Sequence, residues 1–317
     1  MSRSRTALQA AAASVAVGLA LASCAAGPAA QGGPSTGGDA ALRIATSFYP
    51  IEYAAQQIGG TRVSVSVLTK PGTEPHDLEL SAKDAADLRT DDLLLYAKGF
   101  QPAVDSAAGL LEPGKVLDVS AAARLTLAAG PDGTEQPATA QPTAARDPHF
   151  WLDPERYAAV ARLVGERLAK ADPAGAQAYQ RATTAFVAKL DALDAELTRG
   201  LARCAVRDLV TSHAAFGYLA QRHGFTQHGI AGLSPGAEPS AGALARLTDL
   251  VRSRHVTTIY QETLVQPQFA QTVAASTGAK VATLDPLEGI TTASAGSDYF
   301  EVMRANLAAL RAGQQCR

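Results

Sequence analysis

The spacing of apolar residues along this chain changes period many times. "LRIAT" opens at residue 42 as an apolar, β-prone run, and "VSVSVLTK" (63–70) alternates strictly, the period of a half-buried strand. "DLLLYAKG" (92–99) is a continuous apolar run of strand length, and "KVLDVS" (115–120) is a shorter one. Helical spacing separates them. It covers Tyr53–Ile58, which Gly59-Gly60 stops, and resumes at Ser81, where Asp84 three residues on completes a capping-box signal. "PGTEPHDLEL" (71–80) reads as a loop, and residues 128–147 read as a long polar loop without apolar periodicity.

Asp153-Pro154 has the form of an N-cap followed by proline at the first helical position, with the helix running to about Lys170. Asp172-Pro173 repeats that signal. The helix it starts carries Tyr179, Phe186, Leu190, Leu193 and Leu197 on one face and stops near Gly200. At 1.5 Å per residue it is roughly 40 Å long, enough to bridge two domains. Strand and helix then alternate again: "RDLVTSH", "AAFGYLAQRHG", the strand and loop "GIAGLSPGAEPS", a helix capped by Ser240, "VTTIYQE", "PQFAQTVAASTG", "KVATLDPLEG" and the terminal "DYFEVMRANLAALRAG". This alternation predicts an α/β protein of two lobes, each a mostly parallel sheet flanked by helices, joined by a long rigid linker helix. The expected organisation is an N-terminal lobe over 42–171, a linker helix over 172–200 and a C-terminal lobe over 201–317.

The start of the chain follows another pattern. Arg3 and Arg5 precede a small-residue apolar run that closes on Leu21-Ala22-Ser23-Cys24. That is a secretory leader over 1–23 with a bacterial lipobox, so Cys24 is the expected lipidation site. Residues 24–41, rich in Gly, Ala, Pro and Ser, are a flexible tether that cannot bury a core. The chain is therefore expected to be exported and anchored to the outer face of the cell membrane as a lipoprotein, through Cys24. In an exported chain the remaining cysteines, Cys204 and Cys316, are expected to form a disulfide.

The overall charge of −2, with scattered basic residues and 5% aromatics, gives no footprint for nucleic acid. Of the 6 histidines, three fall where a ligand would sit. His76 lies in the loop after "VSVSVL", His149 at the far end of the long loop, and His213 at the end of "DLVTSH"; Asp285 ends the "KVATL" strand. Ligands of open parallel sheets bind beyond the carboxyl ends of the strands. Three imidazoles and a carboxylate suit Zn2+, whereas Mn2+ prefers more oxygen. His223, beside the helix-ending Gly224, suits a cation on the helix dipole. With His228 and His255 it reads as structural or exposed.

"TEPHDLELSAKD", "DPHFWLDP", "LVTSHAAFGYLAQRHG", "AEPS" and "LDPLEG" together resemble the substrate-binding lipoproteins of bacterial zinc/manganese ABC importers, the cluster A-I family that includes the high-affinity zinc-binding proteins. The resemblance covers about residues 42 to 317. It implies a metal held between two lobes by His76, His149, His213 and Asp285, with the histidine at 213 pointing to zinc rather than manganese. It also implies an ABC permease and a separate cytoplasmic ATPase as partners, and a monomer is expected. Many zinc members carry a His-rich loop ahead of the second ligand, but "AAGPDGTEQPATAQPTAARD" has no histidine. Glu74 and Glu262 are placed to orient ligands from behind or to approach the metal. Trp151 and Phe150 are expected to pack near the site.

Two other functions compete. An exported zinc hydrolase needs an open coordination position and a nearby base, for which Glu262 or Glu74 would serve if Asp285 were not a ligand; no HExxH or G-x-S-x-G motif is present. Surface adhesion has only the tether in its favour. The chain has no P-loop of its own. Metal binding by histidines is expected to weaken as pH falls below about 6.

Overall fold

Strand β1 (Leu42–Thr46) pairs in parallel with β2 (Val63–Val67) on one side and β3 (Leu93–Tyr96) on the other, and β3 pairs with β4 (Val116–Asp118). The sheet order is therefore β2-β1-β3-β4. The computed structural model describes residues 41–130, 134–140 and 143–317. The expected leader, Cys24 and nearly all of the tether lie outside the described residues. Among the described residues, no helix is long and apolar enough to cross a membrane.

The second sheet repeats the first in topology. It runs β10 (Lys280–Thr283), β9 (Thr258–Gln261), β7 (Asp208–Thr211), β8 (Thr226–Gly229), all parallel. In both sheets the first strand lies inside and the chain winds outward to either side. Each sheet thus has a switch point where crossovers diverge, the place where open α/β sheets bind ligands. The fully buried "LLLY" of β3 explains its unbroken apolar run.

The helices are α1 (Tyr49–Gly59), α2 (Ala82–Thr90), α3 (Pro102–Ala108), α4 (Ser120–Ala123), α5 (Pro154–Ala171), α6 (Ala176–Leu201), α7 (Gly217–His223), α8 (Ala241–Ser253), α9 (Gln268–Thr277) and α10 (Tyr299–Gly313). Ser81 caps α2 with the expected reciprocal bonds, at 3.1 Å to the Asp84 amide and 2.9 Å from its own amide to the Asp84 carboxylate. Asp153 caps α5 and Ser240 caps α8. The long helix, α6, has 26 residues and buries the expected Tyr179, Phe186, Leu190, Leu193 and Leu197.

Several elements differ from the sequence reading, among them the one-turn α4, which was not expected, and β8, which ends at Gly229 where the strand was expected to begin. α1 begins at Tyr49, four residues early, because Pro50 fits its first turn. α3 was not expected. The polar loop 128–147 contains an antiparallel hairpin of β5 (Leu127–Ala129) and β6 (Glu135–Pro137), and Asp147 N bonds to Leu127 O at 3.0 Å on the other edge of β5.

One buried cluster runs through both halves without a break, from Ile44 and Phe48 through Trp151, Tyr157, Phe186 and Leu190 to Tyr299, Val302 and Leu310. Residues 40–317 form one compact unit. A disulfide joins Cys204, just past α6, to Cys316, just past α10, 112 residues later.

Candidate metal site

Four donor atoms converge beyond the carboxyl ends of the two sheets. They belong to His76, His149, His213 and Glu288, and all lie within 4.8 Å of one another. His149 Nε2 is 3.2 Å from His76 Nε2 and 3.3 Å from His213 Nε2. Glu288 Oε1 is 3.3 Å from His76 Nε2, 3.1 Å from His149 Nε2 and 3.4 Å from His213 Nε2. A tetrahedron with metal–ligand bonds of about 2.0–2.1 Å has edges of about 3.3–3.4 Å. Five of the six donor pairs therefore stand at zinc-sized spacing, and the sixth, His76 with His213, lies within 4.8 Å. His76 comes from the first half and keeps 9% side-chain exposure, while the side chains of His149, His213 and Glu288 are fully buried. Of the four, His76 alone keeps any side-chain exposure.

Each histidine is fixed by local structure. The loop carrying His76 is held by Gln101, whose buried amide donates to Pro75 O at 3.0 Å and to Thr69 Oγ1 at 2.8 Å. Glu74 Oε1 accepts from the His76 amide at 3.1 Å. The His76 ring stands edge-on to Phe100, with centroids 4.6 Å apart. His149 follows an Asp-Pro step and leads into a single 3-10 turn, Phe150–Leu152, just before the Asp153 cap. Asp147 Oδ1 accepts from both the amide and the ring Nδ1 of His149, at 2.8 and 2.7 Å. Glu262, beyond β9, does the same for His213 through its two oxygens, at 2.9 Å to the amide and 2.6 Å to Nδ1. A carboxylate behind an imidazole fixes the Nδ1–H tautomer and leaves the Nε2 lone pair for a metal.

The carboxylate in the cluster is Glu288, where the sequence reading placed Asp285. Asp285 stands outside that cluster and builds the loop. Its Oδ1 accepts from Leu287 N at 2.8 Å, and its backbone is clasped by the Asn306 amide at 2.9 and 2.7 Å. Leu287 takes a left-handed φ of 57°. Trp151 Nε1 donates to Pro286 O at 2.7 Å. The turn carries the chain past Asp285 and delivers Glu288 to the imidazoles. Both acids lie in the same "LDPLEG" stretch, and nothing in the spacing shows a left-handed leucine between them. Asp147 and Gln101 were also missed. Asp147 had a signal, since an acid two residues before a ligand histidine can reach both its amide and its ring.

Charge follows the geometry. Burial alone would lower the basicity of His149 and His213, but hydrogen bonds and ion pairs to Asp147, Glu262 and Glu288 outweigh it and raise both, His213 well above the ordinary range. Burial would raise Glu288, yet the three imidazoles hold it well below the usual carboxylate range. His76 is lowered by burial. Glu74 is pushed up to about 8 by burial and by the charge of Glu288. His223 is not the helix-end cation the sequence suggested: burial lowers it to about 4, so it is neutral. His228 bonds Asp208 at 2.8 Å, and His255 is exposed.

A family model described as "ZnuA: Zinc-uptake complex component A periplasmic" matches residues 44–313. The zinc-binding lipoprotein AdcA of Streptococcus pneumoniae is 34% identical over 86% of this chain, which spans only 56% of that relative's length. The high-affinity zinc uptake system protein ZnuA of Bacillus subtilis is 32% identical over 89% of this chain and 92% of its own. Among solved structures, the Zn(II)-bound ZnuA-like domain of S. pneumoniae AdcA superposes with a TM-score of 0.72 at 33% identity, covering 86% of this chain and 99% of that one. The laminin binding protein Lmb of Streptococcus agalactiae, described as bifunctional with adhesin and metal transporting activity, gives a TM-score of 0.73 at 30% identity, covering 86% and 99%. With a matching model across both sheets and the metal site between them, this chain belongs to the ZnuA family, the zinc-uptake complex component A.

Proposed function

We propose that this protein captures Zn2+ outside the cytoplasm and hands it to an ABC permease driven by a separate ATPase. The observation that carries this reading is the cluster of His76, His149, His213 and Glu288, whose donor atoms all lie within 4.8 Å of one another, five of the six pairs at 3.1–3.4 Å. Three nitrogens and one oxygen at that spacing suit zinc, and manganese less. Four protein donors close the coordination sphere, so no position is left for a reacting water. That favours binding over hydrolysis. Glu74 and Glu262 support the loops behind the ligands. In this reading the chain has a leader (1–23), a lipid on Cys24 with a tether to residue 41, a first lobe (42–171), a linker helix (172–200) and a second lobe (201–317). It works as a monomer on the outer face of the cell membrane.

The purified chain, stripped of metal, is expected to bind one equivalent of zinc by isothermal titration, and His149→Ala to lose that binding. Failure of the wild-type chain to bind zinc, or unchanged affinity in His149→Ala, would overturn the proposal.

A further inference from the structure

Behind His149 stands a pair of acids that zinc coordination leaves unexplained. Asp147 is fully buried and spends its Oδ1 on the His149 amide and ring. Its Oδ2 is buried with no donor, and so is Oε1 of Glu135, on β6. The two carboxyl groups are in hydrogen-bonding contact. Two ionised carboxylates in contact would bury unpaired oxygens and repel. One proton between them satisfies both.

Placement gives a second argument. Glu135 reaches inward from the hairpin and lies against Gly217, the first residue of α7. A Cβ at Gly217 would stand 1.6 Å from Glu135 Oε2. Any larger residue there would displace the acid, so the glycine makes its berth. Asp147 is meanwhile pinned at its own backbone, through N to Leu127 O at 3.0 Å and through its carbonyl from Tyr218 Oη at 2.9 Å. With Oδ1 held by His149, Oδ2 is the part of the carboxylate left without a donor, and Glu135 is its hydrogen-bonding neighbour.

We infer that Glu135 is a positioning residue for zinc binding: as a neutral carboxylic acid it donates to Asp147 Oδ2, which holds Asp147 Oδ1 on His149 Nδ1–H and keeps His149 Nε2 aimed at the metal. This rests on the zinc-site reading above. Burial and the neighbouring Asp147 charge push the Glu135 acid up to about 11, the direction a shared proton requires. The hairpin that reads as a polar loop thus has a structural tie to the metal site, although it carries no histidine.

Three variants and two readouts test the proposal. Glu135→Ala is expected to weaken zinc binding about tenfold, the lower end of the effect of removing an outer partner of a metal ligand. Glu135→Gln keeps a donor without a titrating proton and is expected to recover affinity to within about threefold of wild type, a rescue that loss of packing alone would not produce. Gly217→Ala is expected to reproduce the Glu135→Ala loss, and the double variant Glu135→Ala/Gly217→Ala to lose no more than either, because both remove one contact. By infrared difference spectroscopy, the wild-type protein at neutral pH should show the carbonyl stretch of a protonated carboxylic acid that Glu135→Gln lacks. Unchanged affinity in Glu135→Ala, an equal loss in Glu135→Gln, or absence of that band would sink the proposal while zinc binding stands. If the wild-type chain bound no zinc, the zinc reading itself would fall, and the band would still report whether the two acids share a proton.

Discussion

Asp285 and Glu288 stand three residues apart, and of the two only Glu288 joins the imidazole cluster. Their truncations should therefore differ in kind. Glu288→Ala removes a buried carboxylate from a paired cluster, a loss of roughly 3–5 kcal/mol or more than about 100-fold in zinc affinity. Asp285→Ala removes the turn bond to Leu287 N, so its cost falls on loop geometry: about tenfold in affinity and about 1 kcal/mol in stability. Chelator competition on the two variants separates them, and a larger affinity loss in Asp285→Ala would return the ligand role to Asp285. The pH dependence follows from the same residues. His149 and His213 have raised basicity, so without metal they hold protons that zinc must expel. Affinity is then fully developed only above their raised values and falls as pH drops through them. Its onset lies above the ordinary histidine range near 6.5 rather than below 6. Titration in buffers of different ionisation heat should show proton release on zinc binding at pH 7; no release would contradict the pairing. The three histidines could be named as candidates from the sequence, His76 in the loop after β2, His149 ahead of the Asp153 cap and His213 just past β7. The fourth donor could not, because its position depends on the backbone sign of Leu287.

Elements with strong local signals were legible in the chain itself. The capping box at Ser81, the Asp-Pro starts of α5 and of the turn before α6, and the apolar face of α6 each report a local preference that packing did not override. The short elements were not. α3 buries only Val104 and Ala108, too few positions to show a period. The three-residue strands of the hairpin hold through Asp147 and Tyr218, which no local pattern reveals. The disulfide belongs to this scale, because it ties the ends of α6 and α10 at the amino end of β7, away from His213 at its carboxyl end. Removing it with Cys204→Ser/Cys316→Ser should lower stability by up to about 4–5 kcal/mol, as the chain-entropy model gives for a loop of this length. Zinc affinity should stay unchanged. Denaturant unfolding and metal titration on the double variant check both halves of the statement, and weakened zinc binding would show that the bridge does more than constrain the unfolded chain.

At the scale of the molecule, the metal's donors come from both halves: His76 and His149 precede α6, while His213 and Glu288 follow it. Such a site suggests lobes that part when the metal leaves, but the packing around α6 argues against it. Tyr157 and Tyr299 pack with centroids 4.9 Å apart, and Phe186 meets Phe300 at 5.9 Å. Tyr299 Oη donates to Trp151 O at 2.6 Å, and Tyr53 Oη to Asp298 at 3.2 Å. Arg222 of α7 reaches Asp194 of α6 at 2.6 Å and pairs with Glu155 of α5. Baring even five of these six aromatic side chains at about 2 kcal/mol each would cost on the order of 10 kcal/mol. That is comparable to the whole stability of a typical domain. Metal release should therefore move loops and leave the lobes in place. The loop of residues 70–80 is the candidate, since it carries the only partly exposed ligand and approaches the second half where Asp77 lies beside Gly236. Hydrogen exchange should rise over residues 70–80 when zinc is removed and stay unchanged in α6 and α10, with the radius of gyration from X-ray scattering the same in both states. An expanded metal-free protein, or faster exchange in α6, would mean that the aromatic weld opens and that zinc itself holds the halves together.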